Sequence, residues 1–134
     1  MPFGPGYPCR SIRTHRWLYV RNYAPDRWPA GDPDFNSRFA GYYGDIDNGP
    51  TKTFMMEHQD DPPVKPLFEL GFGKRPAEEL YDLARDLQQV RNLAGDPAFD
   101  GVREYLARDL RAYQLATGDA RVTGRPPWDD YPCR

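Results

Sequence analysis

Prolines and glycines punctuate this chain so densely that it cannot be a helical bundle. Fifteen prolines and twelve glycines occur among 134 residues, grouped in runs such as Gly4-Pro5-Gly6, Asp61-Pro62-Pro63 and Arg125-Pro126-Pro127. Proline removes a backbone donor and fixes φ, while glycine favours turns, so long fixed loops must connect short regular elements. A chain of this length can still bury one modest core. Its hydrophobic fraction of 39% and mean hydropathy of -0.85 are low, and the 14% of aromatic residues must supply much of the buried volume. Such a domain folds with little stability to spare and gains from a partner surface.

Two stretches escape the punctuation well enough to be read with a period. In residues 7–23, Ile12 points opposite to Ser11 and Arg13. After a bend near Thr14 to Arg16, Trp17, Tyr19, Arg21 and Tyr23 share one face, and Leu18 and Val20 the other. Alternation of this kind predicts a β-hairpin, although Thr14-His15-Arg16 lacks the Asn-Gly chemistry of a strong turn. Farther on, Asp96 is a good N-cap, Pro97 a good first helical residue and Gly118 a good stop. Between them Phe99, Val102, Leu106, Leu110 and Tyr113 recur every three or four residues, predicting a helix over 96–117 with one apolar stripe. The sheet is the only candidate surface for that stripe. The predicted fold class is therefore α+β, a small antiparallel β-sheet covered by a long C-terminal α-helix, with long irregular loops.

The remaining segments are read from their punctuation. Residues 24–49 form an irregular excursion, residues 50–59 a short helix opened by Pro50, and Leu67 to Phe72 a short turn. Glu79 to Leu83 alternate as a short strand, with Tyr81 and Leu83 on one face and Leu80 on the other. Asp86 then caps a helical turn with Gln89 as its capping-box partner. The expected organisation is a leader at 1–6, one domain over 7–118 and an extended tail at 119–134. That domain comprises a hairpin at 7–23, a loop region at 24–76, a strand at 78–83 and a helix at 96–117.

Charge is unevenly placed. Overall it is -2, yet residues 1–27 hold five arginines (Arg10, Arg13, Arg16, Arg21 and Arg27) against Asp26 alone, leaving -6 on the rest. The acidic total argues against nucleic acid as a partner, and the N-terminal arginines mark where an anion would be drawn. Solvated strand-face arginines covering aromatics would look the same in sequence. No apolar run reaches membrane-spanning length, so no membrane partner is expected. Met1 to Gly6 has neither the basic start nor the apolar stretch of a signal peptide.

Few residues invite a chemical role. Cys9 and His15 would be the nucleophile and base of a self-contained hydrolase, but a structural thiol and a surface histidine are the simpler reading. Asp60-Asp61, Asp129-Asp130 and Asp47-Asn48 have the look of calcium ligands. Each lies in Pro/Gly-rich sequence where Asp and Asn are ordinary turn residues. Neither catalytic nor metal-binding residues are assigned. Cys9 and Cys133 could pair if the termini meet, which sequence does not decide.

The run Glu79-Leu80-Tyr81-Asp82-Leu83, then Asp86, Gln89 and Asn92-Leu93-Ala94, resembles the signature near the C-terminus of formylglycine-type sulfatases, with Leu87 where Pro is usual and Gln89 where Glu is usual. Tyr7 to Thr14 followed by Leu18 to Asn22 resembles the segment by which sulfamidase (heparan N-sulfatase)-type sulfatases enter their small C-terminal domain. Pro25 to Gly31, Tyr43 to Asp47, Pro50 to Lys52 and Phe72 to Leu80 are similar to bacterial members of that branch. The similarity runs from about Tyr7 to Asp119. Cys9-Arg10-Ser11-Ile12-Arg13 imitates the modified Cys-x-Pro-x-Arg of the family, but Ser11 replaces the Pro or Ala and the segment is a strand.

The resemblance implies the C-terminal portion of a sulfatase whose intact form hydrolyses a sulfate ester or N-sulfate on a sugar. Its cofactors, calcium and formylglycine, would belong to the N-terminal domain, and none of the corresponding ligands has a matching position here. Such a chain would be inactive alone. Its implied partners are that N-terminal domain, a sulfated saccharide and a second copy in a homodimer. The intact relatives are exported, which implies a periplasmic or extracellular setting. Arg10, Arg13 and the loop from Asp45 to Lys52 are expected nearest the substrate rim, because a guanidinium offers a planar fork to sulfate or carboxylate. A standalone, non-enzymatic module binding sulfated or other anionic glycans through the arginine-rich hairpin is the alternative.

Overall fold

The computed structural model describes residues 6–124. They form two compact units, one made of residues 8–24 and 76–124, the other of residues 6–7 and 25–75. Where the sequence reads as a single domain with a loop region at 24–76, that region is a unit with a core of its own.

The first unit is α+β. Strands β1 (Cys9–Arg13) and β2 (Trp17–Asn22) form the expected hairpin, and β3 (Glu78–Asp82) pairs with the other side of β2 in antiparallel order β1-β2-β3. Cys9 stands opposite Asn22 and Ile12 opposite Tyr19; Tyr19 in turn faces Leu80. The weak turn sequence is compensated by Thr14. Its hydroxyl accepts the N–H groups of Trp17 (2.9 Å) and Arg16 (3.3 Å), and its own N–H donates to the Trp17 carbonyl.

Asp96 caps the final helix as expected, accepting the Ala98 N–H at 3.0 Å. Its first turn, Pro97–Phe99, is a 3-10 turn that runs directly into the main helix, here α3 (Asp100–Thr117). Gly118 ends it at φ 70° and Leu106 and Leu110 pack on Tyr19 and Leu80, with Val102, Ile12 and Trp17 at the margin. At about 1.5–3 kcal/mol for each large side chain removed from water, this layer is the unit's main source of stability. One member of the predicted stripe is misplaced. Tyr113 is 68% exposed, and Gln114 turns inward instead at 4% exposure. The helix can bury an amide there because Asp119 and the Tyr23 hydroxyl satisfy it, at 3.0 and 2.9 Å.

The segment after β3 also departs from expectation. No helical turn forms between Asp86 and Gln89, and Gln89 adopts a left-handed φ of 56°. The Asp86 carboxylate instead accepts the N–H groups of Val90 (3.2 Å) and Arg91 (2.8 Å), knitting an irregular loop. Asn92 then lies along the free edge of β3. Its side chain accepts the Leu80 N–H (2.9 Å) and donates to the Glu78 carbonyl (3.2 Å), while the Leu93 N–H donates to Leu80. Beyond α3, the expected tail opens with a single helical turn, α4 (Ala120–Thr123), capped by Asp119. The rest of the tail, the first residues of the leader, Asp129-Asp130 and Cys133 lie outside the described residues.

The second unit contains two eight-residue helices, here α1 (Pro50–Glu57) and α2 (Lys65–Phe72), the latter longer than the short turn read from the sequence. Ala30, Tyr43 and Phe72 are its buried centre, with Phe68, Met55 and Ile46 packed around them. Tyr43 sits edge-on to Phe72 and Phe68 at 5.1 and 5.9 Å. Gly31 is required beside it. At φ 93°, a Cβ would lie 2.6 Å from the Gly44 nitrogen.

Candidate functional site

The four expected rim residues divide evenly between the two units and have unlike surroundings. On β1, Arg10 and Arg13 are an odd number of residues apart and so point to opposite faces of the sheet. Arg10 shares the helix face with Ile12. Its guanidinium forks onto Asp119, with Nε to Oδ2 at 2.7 Å and Nη2 to Oδ1 at 3.1 Å. That bond, with further donors from Arg121 N–H and Gln114, holds the Asp119 carboxyl well below the usual carboxylate range and raises the Arg10 pKa. Arg10 therefore ties the first strand to the residue that follows α3 and caps α4. Arg13 is exposed on the opposite face.

In the second unit Asp45 is exposed, and its N–H donates to the Ala30 carbonyl. Lys52 is different: it is only 6% exposed, on α1. Its ammonium donates to the carbonyls of Ala40 (2.7 Å), Ile46 (2.8 Å) and Tyr43 (3.1 Å), with Asn48 Oδ1 at 3.4 Å. Asn48 in turn donates to the Phe39 carbonyl. Lys52 thus acts as the internal cation around which the long excursion is wound, a role for which its three N–H donors suit it.

The hairpin arginines are similarly engaged. Arg16 grips Asp82, with Nη2 to Oδ2 at 2.8 Å, and this bond lowers the Asp82 pKa. Cys9 opens β1 and His15 lies in the turn beyond its other end, so the strand between them, about 13 Å long, keeps the two residues apart. A Cys9–His15 dyad is excluded by that distance. Among the described residues no group of three or more metal-ligating side chains comes together. Asp61 bonds His58 at 2.8 Å rather than joining Asp60 around an ion. No described helix is long and apolar enough to cross a membrane.

A groove that the sequence did not announce lies between β2 and α3. Its volume is about 270 Å³. Leu110 and Ala107 give it apolar lining, and Arg21, Arg111, Tyr23 and Gln114 give it polar lining. Glu78, also in the lining, accepts the Tyr19 hydroxyl at 2.6 Å and Arg103 Nη1 at 3.0 Å, with Arg21 at a longer 3.7 Å. Burial first, and the carboxylate second, push the Tyr19 phenol well above its ordinary pKa. The alternation placing Tyr19, Arg21 and Tyr23 on one face was legible. That Arg111 would join them was not, since an exposed arginine on a helix carries no pattern of its own.

Comparison with known proteins gives this geometry a context. No family model matches the chain. It is 28% identical over 117 residues to an ulvan-active sulfatase of Formosa agariphila, covering 84% of this chain and 18% of that protein. A second ulvan-active sulfatase of the same organism is 27% identical over 114 residues, covering 82% of the chain and 17% of the relative. The chain is distantly related to sulfatases. It spans less than a fifth of the length of these relatives.

Proposed function

We propose that this chain is the C-terminal portion of a sulfamidase-like sulfatase, contributing structure and substrate-facing surface while the catalytic groups reside in an N-terminal domain. The intact enzyme would hydrolyse a sulfate ester or N-sulfate on a sugar. The observation that supports this most is the pairing of coverage values: similarity extends over 84% of the chain yet only 18% of the sulfatase. The separation of Cys9 from His15 agrees with it. Among the expected rim residues, Arg13 and Asp45 are the exposed ones and are the members we assign to substrate contact. Arg10 and Lys52 serve by holding β1 and the long excursion in place.

The alternative, a glycan-binding module acting through the arginine-rich hairpin, is weakened by its ion pairs. Arg10, Arg16 and Arg21 each face a carboxylate, which reduces their pull on an anion.

The test has two parts. The purified chain, assayed with 4-nitrophenyl sulfate, N-sulfoglucosamine and an O-sulfated glucosamine, should turn over none of them; turnover abolished by Cys9→Ala would overturn the reading. The chain should also replace the matching segment of the Formosa agariphila sulfatase. A chimera that melts cooperatively and retains sulfate-ester hydrolysis is expected; a well-folded chimera without activity counts against it.

A further inference from the structure

We propose that the groove between β2 and α3 receives the chain's own C-terminal segment, with the indole of Trp128 on the apolar lining and the carboxylates of Asp129 and Asp130 beside Arg111. The groove belongs to one unit, and its lining stands independently of the relation to sulfatases. Charge decides which cation is open to a partner. Arg21 stands directly opposite Glu78 on β3 and pairs with it at 3.7 Å, and Arg103 bonds the same carboxylate at 3.0 Å. Arg111 is exposed and has no carboxylate partner among the described residues. Its neighbours three and four residues away on α3 are Ala107, Arg108, Gln114 and Leu115, so the helix itself offers it no anion and Arg108 adds a like charge. A partner for this groove should therefore combine an apolar group with a negative one.

The chain supplies a segment of that character within reach. The Arg121 guanidinium of α4 lies 5.8 Å from the ring of Tyr23, one of the lining residues, so α4 ends beside the groove. Beyond Gly124 the sequence continues Arg125-Pro126-Pro127-Trp128-Asp129-Asp130. A Pro-Pro pair does not prolong a helix. Four residues of extended chain reach about 13 Å, enough to set Trp128 on a lining that begins at Tyr23. At about 270 Å³ the space is small beside ligand pockets of roughly 300–1,000 Å³, and it suits one aromatic side chain. Leu110 and Ala107 would meet the indole face. A buried indole N–H needs an acceptor, and the Glu78 carboxylate has capacity beyond its bonds from Tyr19 and Arg103. Because the two aspartates follow Trp128 directly, and Arg111 follows Leu110, seating the ring brings a carboxylate to the unpaired guanidinium.

Nuclear magnetic resonance of the full chain with labelled leucine methyls tests the docking. The Trp128 indole protons should show NOEs to the Leu110 methyls, and Trp128→Ala should shift those methyl signals. Arg111→Glu, at an exposed position, should weaken the NOEs at least threefold with unchanged melting, and Asp129→Asn combined with Asp130→Asn should do the same. Arg13→Glu, on the opposite face of the sheet, should leave them as they were. Mixing labelled and unlabelled chains separates the occupants: NOEs within one chain, constant over a tenfold dilution, are expected, whereas NOEs between copies would give the groove to a second molecule and overturn the proposal. So would the absence of Trp128–Leu110 NOEs, or NOEs unmoved by both the Arg111 and the aspartate variants. Sulfate-ester turnover is a separate measurement, so the groove and the sulfatase reading can each fail alone.

Discussion

Replacing Lys52 by methionine should unfold the long excursion while leaving the three-stranded sheet intact. The substitution keeps the aliphatic stem and removes only the ammonium, so the change isolates the hydrogen bonds. Three backbone carbonyls, those of Ala40, Tyr43 and Ile46, would lose the Lys52 donor in a buried setting, together with the weaker contact to Asn48. At about 1–3 kcal/mol for each buried polar group left unmet, and allowing for water reaching the Ala40 and Ile46 positions, the loss is about 3–5 kcal/mol. That is a large part of the roughly 5–15 kcal/mol by which domains are usually stable. Hydrogen exchange is the suitable assay because it resolves the two units separately. The N–H groups of Ser37, Gly41, Tyr43, Asp45 and Ile46, all engaged in backbone bonds of the excursion, should lose protection. Those of Tyr23 and Leu93 in the other unit should keep theirs. If Lys52→Met changes protection of the first group by less than the equivalent of about 1 kcal/mol, the ammonium is not what organises the excursion.

Other positions give equally specific expectations. Asp119 and Asp82 have pKa values held down in the folded state by Arg10 and Arg16; the stability they contribute is fully present above the ordinary carboxylate pKa of about 4 and declines as pH falls below it. Urea melts from pH 5 to pH 2 should show that decline, and Arg10→Gln should flatten it; an identical acid limb in the variant would refute the coupling. Leu110→Ala should cost about 2–5 kcal/mol by leaving a cavity under α3, while Tyr113→Lys should stay within about 0.5 kcal/mol, measured by denaturant melts. Gly31→Ala should destabilise by about 2 kcal/mol or more, since both the positive φ and the Gly44 backbone oppose a side chain there. Exchange at the Tyr43 and Asp45 amides would report it, and unchanged protection would contradict the close approach.

The elements that could be read from sequence are those whose causes are local. Asp96, Pro97 and Gly118 bracket the last helix through backbone geometry alone, and the alternation around Tyr19 sorts β2 into two faces. Strand alternation also sends Arg10 and Arg13 to opposite sides of the sheet, although both were expected at one rim. What escaped depends on distant partners. Gln114 replaces Tyr113 at the buried face because Tyr23 and Asp119 happen to meet it, and neither is a neighbour on the helix stripe. Lys52 was visible as a basic residue near a loop, but its acceptors are main-chain carbonyls, which every residue possesses and no pattern advertises. Asp86 was expected to cap a helical turn. Its two N–H partners come one and two residues after Gln89, so it closes a loop where a helix was expected.

Asn92 has a consequence for how this sheet can meet other chains. Most outward-facing groups of β3 are consumed: the Glu78 carbonyl by Asn92, the Leu80 N–H and carbonyl by Asn92 and Leu93, and the Asp82 carbonyl by Arg85 and Asp86. A visiting strand would find few groups there to pair with, so that side of the sheet is protected against growth. On the opposite side, no strand among the described residues lies beyond β1. Lengthening of the sheet by a second polypeptide is therefore favoured along Cys9–Arg13, and it would set its neighbour beside the very strand that Arg10 anchors to the cap of α4.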